Sequence, residues 1–305
     1  MTGTALRASA VRVPGSTSNL GGGFDCVGMA VDRFLDASFE PGPHALTVQR
    51  PRGALPGEDL VAVAFRRVLE ARGIEPLGQL HVHSAIPIAC GLGSSAAALV
   101  AGAALGALAS GAELDPDAAF AFATAEEGHG DNAGASAYGG LIAALGGVAA
   151  PRAIRLNLSP RVGFAFAAPP TRVSTRAARA ALPATVPHGI AAGAIGRTAA
   201  LLTGLATGDA DLLRRGFEDN LHVPYRLPLI PGSENALSAA VAAGAWAGTV
   251  SGAGSGLLAV CAAEQAEPVA ARMASALAEH HPGQGVQSFS LRPVEKGVAT
   301  ASRPI

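Results

Sequence analysis

Three glycine-rich loops hold the residues whose types and spacing could do chemistry. The most informative is Pro87–Ala97, PIACGLGSSAA. Gly91 and Gly93 permit close backbone approach there, and Ser94 and Ser95 open a helix of small residues. A helix start presents unpaired N–H groups and about half a positive charge, so it binds an anion without a lysine. The same pattern also describes a glycine turn before a serine-capped core helix. In Val13–Asp25, VPGSTSNLGGGFD, Asn19 and Asp25 flank three glycines after a strand. An amide and a carboxylate on a tight loop suit the amino or hydroxyl group of a small polar ligand, and equally suit an Asx-rich turn. The third loop is Thr249–Gly256, TVSGAGSG, where strand passes through glycines into strand.

Composition narrows what these loops can bind. The formal net charge is −1 with no basic block, which excludes the concentrated positive charge that nucleic acid needs. Lys296 is the sole lysine and no GxxxxGK[ST] loop exists, so a phosphate site must use backbone N–H groups, arginine or a metal ion. Cys26, Cys90 and Cys261 are too few and too far apart for a zinc site or a disulfide framework, and they fit a reducing compartment. No apolar signal region opens the chain, and the Ala-rich stretches 99–108 and 239–246 are too short to cross a bilayer. The expectation is a cytoplasmic protein with no membrane and no nucleic-acid partner. Oligomeric state is not encoded legibly, and a homodimer is compatible with the sequence.

The elements that must position these loops are read from periodicity. Arg7–Pro14, Leu46–Gln49 and Leu80–Ser84 are expected strands. Apolar residues at helical spacing predict a helix over 58–72, stopped by Gly73. A second helix is expected over 115–127, with Asp115 as N-cap and Pro116 in its first position. A turn covers 128–132, a helix or strand pair runs to about 147, and 149–160, with two prolines, reads as a joint. Beyond it come a strand at 162–168, helices near 174–181, 191–205, 209–217 and 266–280, and strands at 248–250, 257–261 and 286–291. Strands mixed with helices on either side of the joint predict an α+β architecture with two lobes, residues 1–155 and 156–305.

In order and spacing the three loops resemble the three motifs of the GHMP kinase superfamily, and the resemblance spans nearly the whole chain. The first loop, PGSTSNLGGGFD, is similar to the homoserine kinase pattern VPATSANLGPGFD. EGHGDNAGASAYGG from Glu127 is similar to that family's EGHPDNVAPALLGG, and VSTRAAR at 173–179 and HVPYR at 222–226 match two further stretches. The resemblance implies an N-terminal lobe like ribosomal protein S5 domain 2 and a ferredoxin-like C-terminal lobe. It implies ATP-dependent phosphorylation of the side-chain hydroxyl of L-homoserine. The alternatives are another carboxylate-bearing alcohol as acceptor, or an inactive nucleotide-binding homologue.

Carried over by position, Pro87, Ile88, Ala89, Cys90, Gly91, Leu92, Gly93, Ser94, Ser95, Ala96 and Ala97 would wrap the triphosphate of ATP. Ser95 and Glu127 would hold Mg²⁺, with Glu126 the neighbour that sequence cannot separate from Glu127. Asn19, Asp25, His129, Thr175, Arg179 and Arg226 would hold homoserine: the two arginines on its carboxylate, Asp25 on its ammonium. Asp131 is the candidate base, with Asn132 the other residue that could face the hydroxyl. Asp59, where the family has Asn, would lie near the adenine pocket. Gly15, Gly22 and Gly130 replace Ala, Pro and Pro of the family pattern, and Ser255-Gly256 replaces Pro-Thr or Pro-Ser. These changes are expected to loosen the loops.

Overall fold

The protein is described from a computed structural model covering residues 5–51, 53, 57–145 and 147–301. The chain order is β1 (Ser9–Ser18), β2 (Val27–Ala45), β3 (Thr47–Gln49), α1 (Leu60–Glu70), β4 (Leu77–Ser84), α2 (Ser94–Ala109), α3 (Pro116–Glu127) and α4 (Asp131–Tyr138). Next come β5 (Leu141–Leu145), β6 (Arg152–Leu156), β7 (Val162–Ala168), α5 (Thr175–Ala180), α6 (His188–Thr207), α7 (Ala210–Phe217) and α8 (Val223–Arg226). Then follow α9 (Ser233–Ala242), β8 (Ala247–Val250), β9 (Leu257–Ala262), α10 (Ala266–His280), β10 (Gln287–Leu291) and β11 (Ala299–Thr300).

Among the described residues two sheets form. In the first, β11, β1, β2, β4 and β3 lie side by side, and β5 joins β2 and β6 to it. The second is antiparallel in the order β10, β7, β9, β8. The first sheet's N-terminal strands end at Leu156 and the second begins at Val162, but β11 returns to pair with β1, so the C-terminal end of the chain sits on the first sheet. The architecture is the expected α+β one.

Asp59 and Asp115 cap α1 and α3. Asp59 Oδ1 accepts from the amide of Val61, and Asp115 Oδ1 from that of Asp117 at 2.9 Å, with Pro116 in the first turn. Helix α1 buries Val61, Ala62, Ala64, Phe65 and Leu69 against α2. Helix α2 is buried around most of its circumference, and its glycines explain the close approach. A Cβ on Gly102 would lie 2.3 Å from the carbonyl oxygen of Val61. That packing fixes the axis of α2 and therefore the direction of its N-terminus.

Besides the four-residue α8, four elements depart from the sequence reading. β2 is a 19-residue strand that the sequence hides, because Pro41, Gly42 and Pro43 interrupt its alternation. They fall toward its exposed end, where the register against β4 shifts between Pro41 and Ala45. β6 occupies the stretch read as a joint, α9 is a helix where none was expected, and β11 is two residues long. Helix α6, 20 residues, is by length and composition apolar enough to cross a bilayer, unlike the shorter stretches considered above. Here it packs on α7, where a Cβ on Gly216 would lie 2.5 Å from Leu201.

Candidate functional site

The three glycine loops are laced together. The hydroxyl of Ser251 donates to the carbonyl of Gly91 at 2.7 Å, so Thr17 Oγ1 must be the donor in its 2.9 Å contact with Ser251. The Gly252 amide donates to the Ser18 carbonyl at 3.0 Å, and the Ser16 amide to the Leu92 carbonyl at 3.1 Å. Asn132 ties in the start of α4. Its Oδ1 accepts from Ser16 Oγ at 2.9 Å and its Nδ2 donates to Ser18 Oγ at 2.8 Å. Asn19 donates to the Gly252 carbonyl at 2.9 Å and accepts from the Asp25 amide at 2.8 Å. Asn19, Asp25 and Ala89 are the non-glycine residues at positive φ among those described, and all three sit in these loops.

Gly91 and Gly93 are needed for contact and for conformation. Both have positive φ, and a Cβ would fall 1.8 Å from the Ser251 carbonyl oxygen at Gly91 and 2.1 Å from Ser16 Oγ at Gly93. The loop delivers the start of α2 to a cavity of about 410 Å³, within the usual range for small-ligand sites. Ile88, Ala89, Gly91, Leu92, Gly93, Ser94 and Ser95 line it, whereas Ala96 and Ala97 are buried behind and Pro87 and Cys90 stand off its wall.

Ser95 donates to Glu127 Oε1, at the end of α3. The second oxygen of Glu127 is buried with no hydrogen-bond partner. Burial pushes its carboxyl above the ordinary range, only partly offset by the His129 charge and the Ser95 hydroxyl. A hydroxyl beside a carboxylate with an unsatisfied oxygen fits a hard divalent cation, which prefers oxygen donors. Glu126 points elsewhere and pairs with Arg67, which separates the two glutamates.

Two residues beyond Glu127, His129 Nδ1 meets Asp131 Oδ1 at 2.6 Å. Burial would raise the Asp131 carboxyl, but its bond to His129 outweighs that and holds it below the ordinary value. Burial likewise opposes, and the Asp131 bond overcomes, in raising the imidazole of His129. His129 and Asn132 line the cavity. Asp131 does not: it is fully buried and lies behind His129.

Arg179, from α5, forms a two-pronged pair with Asp25, with distances of 2.8 and 2.9 Å. Arg226, from the short α8, is 1% exposed yet reaches the same cavity. It donates to the Gly252 carbonyl at 2.9 Å, contacts His222 Nδ1 at 3.4 Å and lies 5.2 Å from the Phe24 ring centre. Burial lowers its pKa. Thr175 also lines the cavity. Asp59 is spent on capping α1 and on Arg50, 2.6 Å away, leaving Arg50, Glu58 and Leu60 to line that end.

Sequence reasoning missed two residues. Arg172, just before α5, is exposed on the cavity wall, and its charge acts on Cys90 of the nucleotide loop. It makes no side-chain hydrogen bond or ion pair with the described residues. The absence of lysine was the available signal, since some cation has to face a polyphosphate. His222 was the first letter of a quoted motif without a role. It is fully buried and stacks on Phe24 with centroids 5.0 Å apart.

Residues 59–140 match the GHMP kinases N terminal domain, and residues 201–279 match GHMP kinases C terminal. Together with the interlocked loops, this makes the chain a GHMP kinase. It is 42% identical to the homoserine kinase of Moorella thermoacetica, covering 88% of this chain and 92% of that one. It is 39% identical to a homoserine kinase of Thermus thermophilus, covering 84% and 88%. Within the superfamily, then, the chain belongs to the homoserine kinase family. A crystal structure of homoserine kinase from Cytophaga hutchinsonii superposes with a TM-score of 0.79 at 24% identity, covering 96% of this chain and 97% of that one. An L. major mevalonate kinase in complex with R-mevalonate gives 0.69 at 17%, covering 95% and 98%. At those identities the superpositions speak to the fold alone.

Proposed function

We propose that the protein transfers the γ-phosphoryl group of ATP to the side-chain hydroxyl of L-homoserine, giving O-phospho-L-homoserine for threonine biosynthesis. One observation carries the reading: a glycine-framed helix start, a serine–glutamate pair and two arginines face a single cavity, in a chain of the homoserine kinase family.

In this reading the N–H groups at Ser94–Ala96, aligned by the buried α2, grip the triphosphate. Ser95 and Glu127 hold Mg²⁺, which would neutralise charge on the phosphate oxygens. Arg179 and Arg226 take the amino-acid carboxylate, and Asp25, which stands off the cavity lining and is paired with Arg179, takes its ammonium, while His129 and Asn19 border the acceptor. Thr175 lies beside Arg179. Asp131, buried behind His129, acts as a positioning residue that holds the imidazole. Among lining residues the carboxylates are Glu58 and Glu127, so alignment and charge neutralisation do most of the work, as phosphoryl transfer allows. Arg172 adds a cation from the second lobe beside the nucleotide loop. Three free, separated cysteines agree with a cytoplasmic enzyme.

An ADP-release screen over homoserine, serine, shikimate, mevalonate and galactose tests this. Homoserine should be preferred by at least about two orders of magnitude, as expected when buried polar groups select their partners. Comparable rates with shikimate or mevalonate would overturn the acceptor assignment.

A further inference from the structure

Arg50 lines the main cavity from the side of the first sheet and α1, together with Leu35, Glu58, Leu60, Ser84 and Ile88. Its side chain is only 10% exposed. Nε donates to Asp59 Oδ2 at 2.6 Å, and the terminal nitrogens make no hydrogen bond with the described residues. Asp59 is itself fixed, since its other oxygen accepts from the Val61 amide at 3.0 Å in capping α1. An asparagine, the residue the family pattern has at this position, would hold the guanidinium through a neutral amide oxygen and so less firmly. The aspartate and the arginine it anchors therefore come as a set.

We propose that Arg50 makes this end of the cavity receptive to 6-oxopurine bases, so that GTP and ITP serve as phosphoryl donors beside ATP. The inference rests on the function proposed above, which puts the triphosphate at the start of α2. Leu35, Leu60 and Ile88 offer a flat base its apolar contact, and Ile88 is 43% exposed, a large apolar side chain left open on the cavity wall. A guanidinium only donates. Guanine and hypoxanthine present two adjacent acceptors, O6 and N7, which match a pair of its N–H groups. Adenine presents N7 beside the N6 amino group, so that one donor faces another. Arg50 thus gains two bonds with a 6-oxopurine and one with adenine. Glu58, the other charged residue at that end, is exposed, and solvent screens its influence. The phosphoryl step is unchanged. The bond from the γ-phosphorus to the β–γ bridging oxygen breaks, one to the acceptor oxygen forms, the hydroxyl proton is released, and GDP or IDP leaves in place of ADP.

The test is kcat/KM for ATP, GTP and ITP at saturating homoserine, on the unaltered enzyme and on Arg50→Gln. In the unaltered enzyme GTP and ITP should each come within about tenfold of ATP. In Arg50→Gln the ratio of GTP to ATP should fall about tenfold, because a side-chain amide matches N6 and N7 of adenine and not two acceptors. Arg50→Lys keeps a cation beside Asp59 without the planar pair of donors, so it should lower the ratio part of the way. Tm checks the folding of both variants, and the unaltered enzyme decides alone if neither folds.

A value for GTP more than about tenfold below that for ATP overturns the proposal. So does a ratio that Arg50→Gln leaves unmoved, which would turn the guanidinium toward the second cavity that Arg50 borders with His81 and His83. Turnover of GTP without ITP would assign the choice to the 2-amino group and Glu58, and overturns the role of Arg50 as well. Phosphorylation of homoserine from ATP alone overturns this inference and leaves the proposed function standing, whereas an enzyme inert with all three nucleotides overturns both.

Discussion

His222→Gln should remove an acid sensitivity built into the wall behind Arg226. The imidazole is fully buried and stacked on Phe24. The charged groups around it are Asp219, whose carboxylate is 3.8 Å from Nε2, Arg226, 3.4 Å from Nδ1, and Asp25 on the neighbouring loop. Burial pushes its pKa from 6.5 to about 4; Asp219 opposes the shift and Arg226 adds to it. Between those values the unfolded chain binds a proton that the native state refuses. The contribution to stability is therefore complete above pH 6.5 and is lost progressively as pH falls toward 4. Linkage over these two values gives a loss of about 2 kcal/mol on moving from about pH 7.5 to about pH 5. Urea unfolding of both proteins at the two pH values isolates this share, because acid effects at other carboxylates are common to both. The glutamine oxygen can still accept from Arg226, so the variant should fold, and it should lose about 2 kcal/mol less over the interval. Equal losses would refute the argument that His222 is held neutral.

Glu127→Gln should cut magnesium-dependent turnover by about two to three orders of magnitude while metal-free nucleotide binding, followed by calorimetry, persists. Near-normal turnover would remove Glu127 from the metal site. Gly91→Ala places a methyl group on the Ser251 carbonyl at positive φ, where neither backbone can yield. It should lower stability by about 1–3 kcal/mol and weaken ATP binding, and an unchanged KM for ATP would contradict the loop geometry. Arg172→Ala should raise KM for ATP about tenfold with the homoserine KM unaltered, and Arg172→Lys should recover part of the loss. If alanine matches the parent, Arg172 is a solvated surface residue.

What was legible in the sequence was local. Gly91, Gly93 and the two serines must be adjacent to frame a helix start, so their spacing survives as a string, and Asp115 advertises its cap in the same way, whereas Asp59, read as a neighbour of the adenine pocket, turned out to cap α1. The acceptor side is assembled from afar. HVPYR gives no sign that Arg226 is almost wholly buried, because the four-residue α8 has no periodicity and its burial depends on Phe24 and Gly252. Residue types at Asp25 and Arg179 suggested partners for an amino acid, yet nothing along the chain says that they find each other first. Asp131 is the opposite case. As an acidic residue in a matching motif it invited a role as base, and only the fold reveals that His129 stands between it and the cavity.

The glycines that depart from the family pattern show how far a loop's stiffness is set by its neighbours. Glycine for proline or alanine adds freedom to the unfolded chain and costs roughly 0.4–1 kcal/mol per site. A looser native loop does not follow. A Cβ on Gly22 would lie 2.9 Å from Arg197 Cβ and 3.0 Å from the Thr198 amide of α6, and Thr198 also donates to the Gly22 carbonyl. At Gly256 a Cβ would meet the Cys90 carbonyl at 2.3 Å and the Phe166 ring at 2.5 Å. Gly15 is hemmed in by the Leu92 and Arg33 carbonyls at 3.0 and 3.2 Å. Here the lost side chains are replaced by closer approach of α6, the nucleotide loop and the second sheet. The loops are rigid because they are packed, and their alignment therefore depends on both lobes at once.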